Sequence, residues 1–282
     1  MQVSANSIAV NLMLSIFKLI AGLLASSGAM ISDAIHSASD VFSTIIVIIG
    51  VKISGKASDE DHPYGHDRFE CVASIILAIL LGVTGVGIGL TGVQKLIAGH
   101  YDTLAIPGIL ALAAAVISIV VKEIMYWYTR NAAKKINSGA LMADAWHHRS
   151  DALSSVGSFV GIFGARMGFP MLDPLASVVI CLFVVKAAVD IFRDAISKMT
   201  DRSCDQKTVN EMHDCIMNIR GVEGIDLLKT RSFGSKYYVD IEISADGNKK
   251  LWETHAIAEN VHQAIEHQFP LVKHCMVHVN PA

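Results

Sequence analysis

The chain has 282 residues, a hydrophobic content of 52% and a mean hydropathy of +0.46. That is too apolar for an ordinary soluble protein, and long enough for a membrane domain plus a small soluble one. A net charge of −3 predicts no nucleic-acid partner, and five scattered cysteines without a CxxC pair argue against a disulfide scaffold, a zinc knuckle or a thioredoxin-like motif.

Hydrophobic segments predict six transmembrane spans at about residues 8–25, 30–52, 70–94, 105–127, 141–164 and 171–191. Lys18 interrupts the first, where a lysine near a helix end or on a protein-facing surface is tolerated. The connections at 26–29 and 167–170 are tight, while those at 53–69 and 128–140 are longer and polar. Lys52, Lys56 and Arg68 flank one long connection, and Arg130, Lys134 and Lys135 lie in the other. The opposite loops offer mainly Lys95 and Arg166. By the positive-inside rule both long connections and both termini are expected in the cytoplasm, with the chain multi-pass in the plasma membrane.

After residue 200 the pattern changes. Residues 205–218 predict an amphipathic helix, 223–232 and 236–244 two strands, 250–268 a second helix and 273–279 a third strand. The expected organisation is a membrane α-helical domain over 1–200 and a cytoplasmic α+β (αββαβ) domain over 201–282.

An octapeptide pattern occurs twice inside apolar segments. Residues 33–40 are Asp33-Ala-Ile-His36-Ser-Ala-Ser-Asp40, and residues 144–151 are Asp144-Ala-Trp-His147-His-Arg-Ser-Asp151. On a helix, positions i, i+3 and i+7 share a face, so each copy presents carboxylate, imidazole and carboxylate in one stripe. Ionisable groups within a span are costly and mark ion pathways or proton relays. Spans two and five run antiparallel, which sets His36 level with Asp151 and Asp40 level with His147. Two imidazoles and two carboxylates suit tetrahedral Zn2+; a proton relay or a buried network without metal is the other reading. Asp33 and Asp144 extend the stripes by a turn, either as pathway carboxylates or as hydrated helix-end groups. His148 and Arg149 turn away from the stripe, and His148 is expected to pack rather than to ligate.

Asp59, His62 and His66 offer one carboxylate and two imidazoles within eight residues of the first long connection, and Pro63 and Gly65 force a turn there. An acidic loop with histidines is equally an ordinary solvated loop. In the last third, His278 and Glu242 fall on neighbouring predicted strands, and His255 on the second helix.

These motifs together resemble the cation diffusion facilitator family of metal/proton antiporters, over the whole chain. The likeness rests on His36-x-x-x-Asp40, His147-x-x-x-Asp151, His62-Pro-Tyr-Gly-His66 and the αββαβ tail. It implies six transmembrane helices, a metallochaperone-like tail and a homodimer formed largely through the tails. It implies a transport site of His36, Asp40, His147 and Asp151, and a loop metal site of Asp59, His62 and His66. A regulatory tail site would use His255 and His278 with Glu242, where Glu242 and Asn280 depart from the His and Asp of other members. Arg68 and Asp201 match an inter-helix charge pair.

The implied activity is secondary active transport: export of a divalent transition metal, Zn2+ first, from the cytosol in exchange for protons. Zn2+ would then be substrate and regulatory ligand, with Fe2+, Mn2+, Cd2+ and Co2+ as alternatives. The reading from another class is a non-transporting membrane metal sensor or scaffold. No HExxH occurs, and an enzyme is not expected.

Overall fold

A computed structural model describes residues 2–24, 28–98, 109–167 and 171–282. Six long helices come first: α1 (Gln2–Leu24), α2 (Gly28–Ser54), α3 (Phe69–Ala98), α4 (Ile109–Lys135), α5 (Gly139–Arg166) and α6 (Leu172–Met199). They are followed by α7 (Gln206–Met217), β1 (Gly224–Phe233), β2 (Lys236–Ala245), α8 (Leu251–Gln268) and β3 (Val272–Pro281). The chain divides into two compact units, one of residues 1–57 and 69–195, the other of 58–68 and 196–282. The connection between α2 and α3 therefore packs with the C-terminal unit rather than with the helices that it joins.

One expectation about the helices needs correction. The polar connection expected over 128–140 is mostly helix: α4 continues to Lys135, and only three residues separate it from α5. Hydropathy falls at Arg130, but arginine, lysine and alanine are good helix formers and carry α4 onward. Asn137, at φ 52°, makes the reversal. Among the described residues, only Gln2–Ile20 and Phe69–Ala98 are apolar enough by composition alone to be recognised as spans. Helices α1, α2, α4 and α5 each turn a charged side chain inward, with Lys18, Asp40, Lys122 and Asp144 buried.

That inward placement inverts the usual distribution. Phe42, Val83, Ile97, Leu182 and Phe183 are exposed on the helical unit, whereas Asn11, Lys18, Asp40, Thr44, Lys122, Asp144 and His148 are buried. An apolar exterior around a polar interior suits lipid as the solvent. Lys18 faces protein, donating to Ser37 Oγ at 2.9 Å. Small residues allow close helix approach: a Cβ on Gly85 of α3 would lie 2.8 Å from Val184 of α6, and one on Gly89 would collide with Cys181. Val47, Leu77, Leu81, Leu141 and Val184 form the apolar core beside the polar interior.

The C-terminal unit has a three-stranded sheet of order β1-β2-β3. β1 and β2 are antiparallel; β2 and β3 are parallel, with α8 as the crossover between them. Alternation puts Val239, Ile241 and Ile243 of β2 on the face covered by Met212 and Ile216 of α7 and Ile257, Val261 and Ile265 of α8. Asp205 caps α7 by accepting from the Thr208 N–H at 2.9 Å. The 58–68 connection is held to this unit by Lys273, which donates to Asp67 and to the Tyr64 carbonyl, and by the Tyr238 hydroxyl, which donates to the same carbonyl at 3.1 Å. Gly234, at φ 65° in the β1–β2 turn, lies against the Asp67 backbone, where any Cβ would collide.

Candidate functional site

The i, i+4 spacing of α5 sets His147 and Asp151 on one side of the helix, and α2 brings Asp40 opposite them. One ligand atom from each of Asp40, His147 and Asp151 falls within 4.8 Å of the others, and all three residues are buried. His147 Nε2 is 3.3 Å from Asp40 Oδ1. A carboxylate pair and an imidazole converging in a buried interior could hold a cation with mixed oxygen and nitrogen donors. The two other stripe residues of α2, Asp33 and His36, lie outside the residues whose side chains are described.

Two residues of this cluster were not singled out in the sequence. Lys122, in the middle of α4, donates to Asp40 Oδ2 at 2.6 Å and to Asp151 Oδ2 at 2.8 Å. It also donates to the amide oxygen of Asn11, on α1, at 2.9 Å. The available signal was a lysine inside an apolar span, where an unpaired charge is costly. Asn11 gave no signal, since a single amide in a first span is unremarkable.

Asp144 is fully buried one turn from His147 and accepts from Thr44 Oγ1 at 3.3 Å. His148 is fully buried too, its Nε2 3.7 Å from Asp144 Oδ2. It faces the second carboxylate rather than lipid, and the same interior holds both. Arg149 does turn elsewhere, stacking its guanidinium 4.4 Å from the centre of the Tyr126 ring and lying 3.7 Å from Glu123.

In the 58–68 connection, Asp59, His62 and His66 also gather, with ligand atoms within 4.8 Å of one another. His66 Nε2 is 3.4 Å from Asp59 Oδ2, and His62 Nδ1 is 3.5 Å from Asp59 Oδ1. The turn is closed by the Gly65 N–H donating to the His62 carbonyl, with Gly65 at φ 94°. His66 is buried while His62 is exposed. The cluster is open on one side, unlike the enclosed group in the helices.

The tail residues do not form a group of three. Glu242 and His278 are register partners on β2 and β3, on the sheet face turned away from the helices. His255 sits on α8, which packs on the opposite face, so it does not join them. Asn280 donates instead to Asp226 Oδ2 at 2.9 Å. Arg68 and Asp201 form an ion pair, but neither residue is in a helix: Arg68 precedes α3 and Asp201, at φ 61°, follows α6. Arg68 also stacks 4.9 Å from the centre of the Phe233 ring, so the pair anchors the 58–68 connection within the C-terminal unit.

Residues 4–200 match the family described as the cation efflux transmembrane domain, and residues 204–282 match the cytoplasmic, dimer-forming domain of cation efflux proteins. An uncharacterized transporter of Methanocaldococcus jannaschii is 38% identical over 97% of this chain and 95% of its own length. The manganese efflux system protein MneS of Bacillus subtilis is 33% identical over 98% of this chain and 93% of its own. The magnetosome protein MamB of a Magnetospira species is 30% identical over 96% of this chain and 92% of its own.

Proposed function

The chain belongs to the cation efflux, or cation diffusion facilitator, family of metal cation transporters, and on that footing we propose that it exports a divalent first-row transition metal from the cytosol by exchange for protons, as a homodimer. The observation that carries the proposal is the convergence of Asp40, His147 and Asp151 inside the helical unit. A buried pair of carboxylates has little use in a scaffold, and the imidazole of His147 beside it binds metal only when deprotonated, so that protons compete with metal there. His36 completes the set as the fourth ligand. Asp144 and Asp33 serve as pathway carboxylates on either side of it. Arrangement of the site between helices permits alternating access by rocking of helix pairs.

The donor set supports two metal readings. Two carboxylates with His147 and His36 suit four-coordinate Zn2+. The amide oxygen of Asn11, adjacent to both carboxylates through Lys122, adds a hard donor and favours Mn2+ or Fe2+. The manganese efflux role in the name of the relative MneS agrees with the second reading. We propose Asp59, His62 and His66 as a second, cytosolic metal site; the tail trio carries no such proposal.

Proteoliposomes with an imposed pH gradient test this. Uptake of Zn2+, Mn2+, Fe2+, Co2+ and Cd2+ is compared by metal-sensitive dye. Flux of at least one of these ions driven by the proton gradient is expected. Gradient-independent flux would remove the exchange, and undiminished flux in Asp151→Ala would remove the site.

A further inference from the structure

Within the buried cluster the position between the two carboxylates is taken by Lys122. An ammonium has three N–H donors, and this one has three acceptors, each from a different helix. They are Asn11 Oδ1 of α1 at 2.9 Å, Asp40 Oδ2 of α2 at 2.6 Å and Asp151 Oδ2 of α5 at 2.8 Å. The residue is 1% exposed, and protein acceptors match its three N–H donors. The ammonium holds one oxygen, Oδ2, of each carboxylate that a metal would need. A dication drawn to Asp40 and Asp151 at ligand distances of about 2.0–2.2 Å would stand in contact with the Lys122 charge. In a low-dielectric interior the repulsion between the two cations is strong, so the metal binds the pair best with the ammonium withdrawn.

We propose that Lys122 is a tethered cation that alternates with the transported metal at the Asp40–Asp151 pair. This rests on the transport-site reading above and deepens it. Metal entry displaces the ammonium, and metal release lets it return. Its flexible four-carbon stem permits the withdrawal without movement of the α4 backbone. Two consequences follow. Binding is weakened by competition with a resident charge, so a divalent ion displaces it where a monovalent ion does not. The carboxylates stay paired while the metal-free carrier reorients, which removes the cost of moving two uncompensated charges through a dry interior.

A merely structural lysine would hold α1, α2 and α5 together and nothing more. The test is metal binding and transport by the full-length protein, using Mn2+ and Zn2+ alone as probes. For Lys122→Gln, metal affinity is expected to rise about tenfold or more. Metal-for-metal counterflow should persist while net export collapses, because only net export needs the metal-free carrier to reorient. Lys122→Arg, which keeps the charge, is expected to recover part of net export. Lost or unchanged affinity in a folded Lys122→Gln protein overturns the proposal. Should that variant fail to fold, the wild-type protein still decides. Amine labelling of Lys122, followed by mass spectrometry, should change on saturation with Mn2+, and unchanged labelling overturns the proposal. If Asp151→Ala binds Mn2+ like the wild type, the transport-site reading itself has failed; if it loses binding while Lys122→Gln gains none, only the role of the lysine has.

Discussion

Across the contact of α2 with α5, His147 Nε2 lies 3.3 Å from Asp40 Oδ1, two buried groups brought together from 107 positions apart in the chain. That pairing makes His147 the accessible lever on metal choice. His147→Ala should lower flux by about tenfold or more, in the range of losing one ligand or its partner. His147→Asp, which makes the described donors all oxygen, should raise the Mn2+ to Zn2+ flux ratio. Competition assays in proteoliposomes check both. An unchanged ratio would place selectivity outside this residue.

Asp151→Ala and Asp40→Ala should each abolish transport, and each should also cost stability. Either change deprives Lys122 of one of two carboxylate partners in a buried setting. Breaking such a pair costs about 3–5 kcal/mol when the remaining charge has nothing else. The surviving carboxylate puts the expected loss near the lower end. Thermal unfolding in detergent should show Asp151→Asn, which keeps the shape and one acceptor, closer to wild type than Asp151→Ala.

Gly234→Ala should damage the C-terminal unit more than Asp67→Ala. The glycine has φ 65° and lies against the backbone of Asp67, so an added methyl meets both conformational strain and a collision. Together these cost about 1–3 kcal/mol. The Lys273–Asp67 ion pair is partly exposed and is worth about 1 kcal/mol or less. Urea unfolding followed by far-ultraviolet circular dichroism distinguishes the two.

Acid should loosen the start of α7. Hydrogen bonds from the backbone N–H and hydroxyl of Thr208 hold the Asp205 carboxyl below its usual value. A depressed folded-state value means that this contribution is complete above the ordinary carboxylate value of about 3.9. It is lost as pH falls through the lower, folded-state value. Asp205→Asn should flatten that part of the acid unfolding curve, and an unchanged curve would show that the cap is not titrating.

Cys275 should be the slowest thiol of the tail to alkylate. Burial pushes its thiol up to about 12, so almost none is thiolate near neutral pH. The partly buried Cys215, raised to a smaller extent, should react first. Mass spectrometry after timed iodoacetamide treatment at pH 8 gives the order.

The αββαβ tail was legible in nearly correct bounds, because its strands alternate with period two and its helices repeat at 3.6. The ends of the membrane helices were less so. Hydropathy reports where lipid contact stops, whereas α4 continues through Arg130 to Lys135 on helix-forming residues. In the tail, Glu242 and His278 were placed on neighbouring strands correctly; His255 was grouped with them through the family resemblance, and nothing local told which face of the sheet α8 would cover.

Spacing along one helix is set by the helical period, and the sequence alone therefore determined that His147 and Asp151 share a face of α5, as it determined the turn that gathers Asp59, His62 and His66. Meeting between helices depends on rotation and depth, which the packing of Val47, Leu77, Leu141 and Val184 sets. Only the tertiary structure could decide that Lys122 of α4 and Asn11 of α1 reach the same two carboxylates. The physical reason is that a lone buried charge declares its cost in the sequence but not its partner.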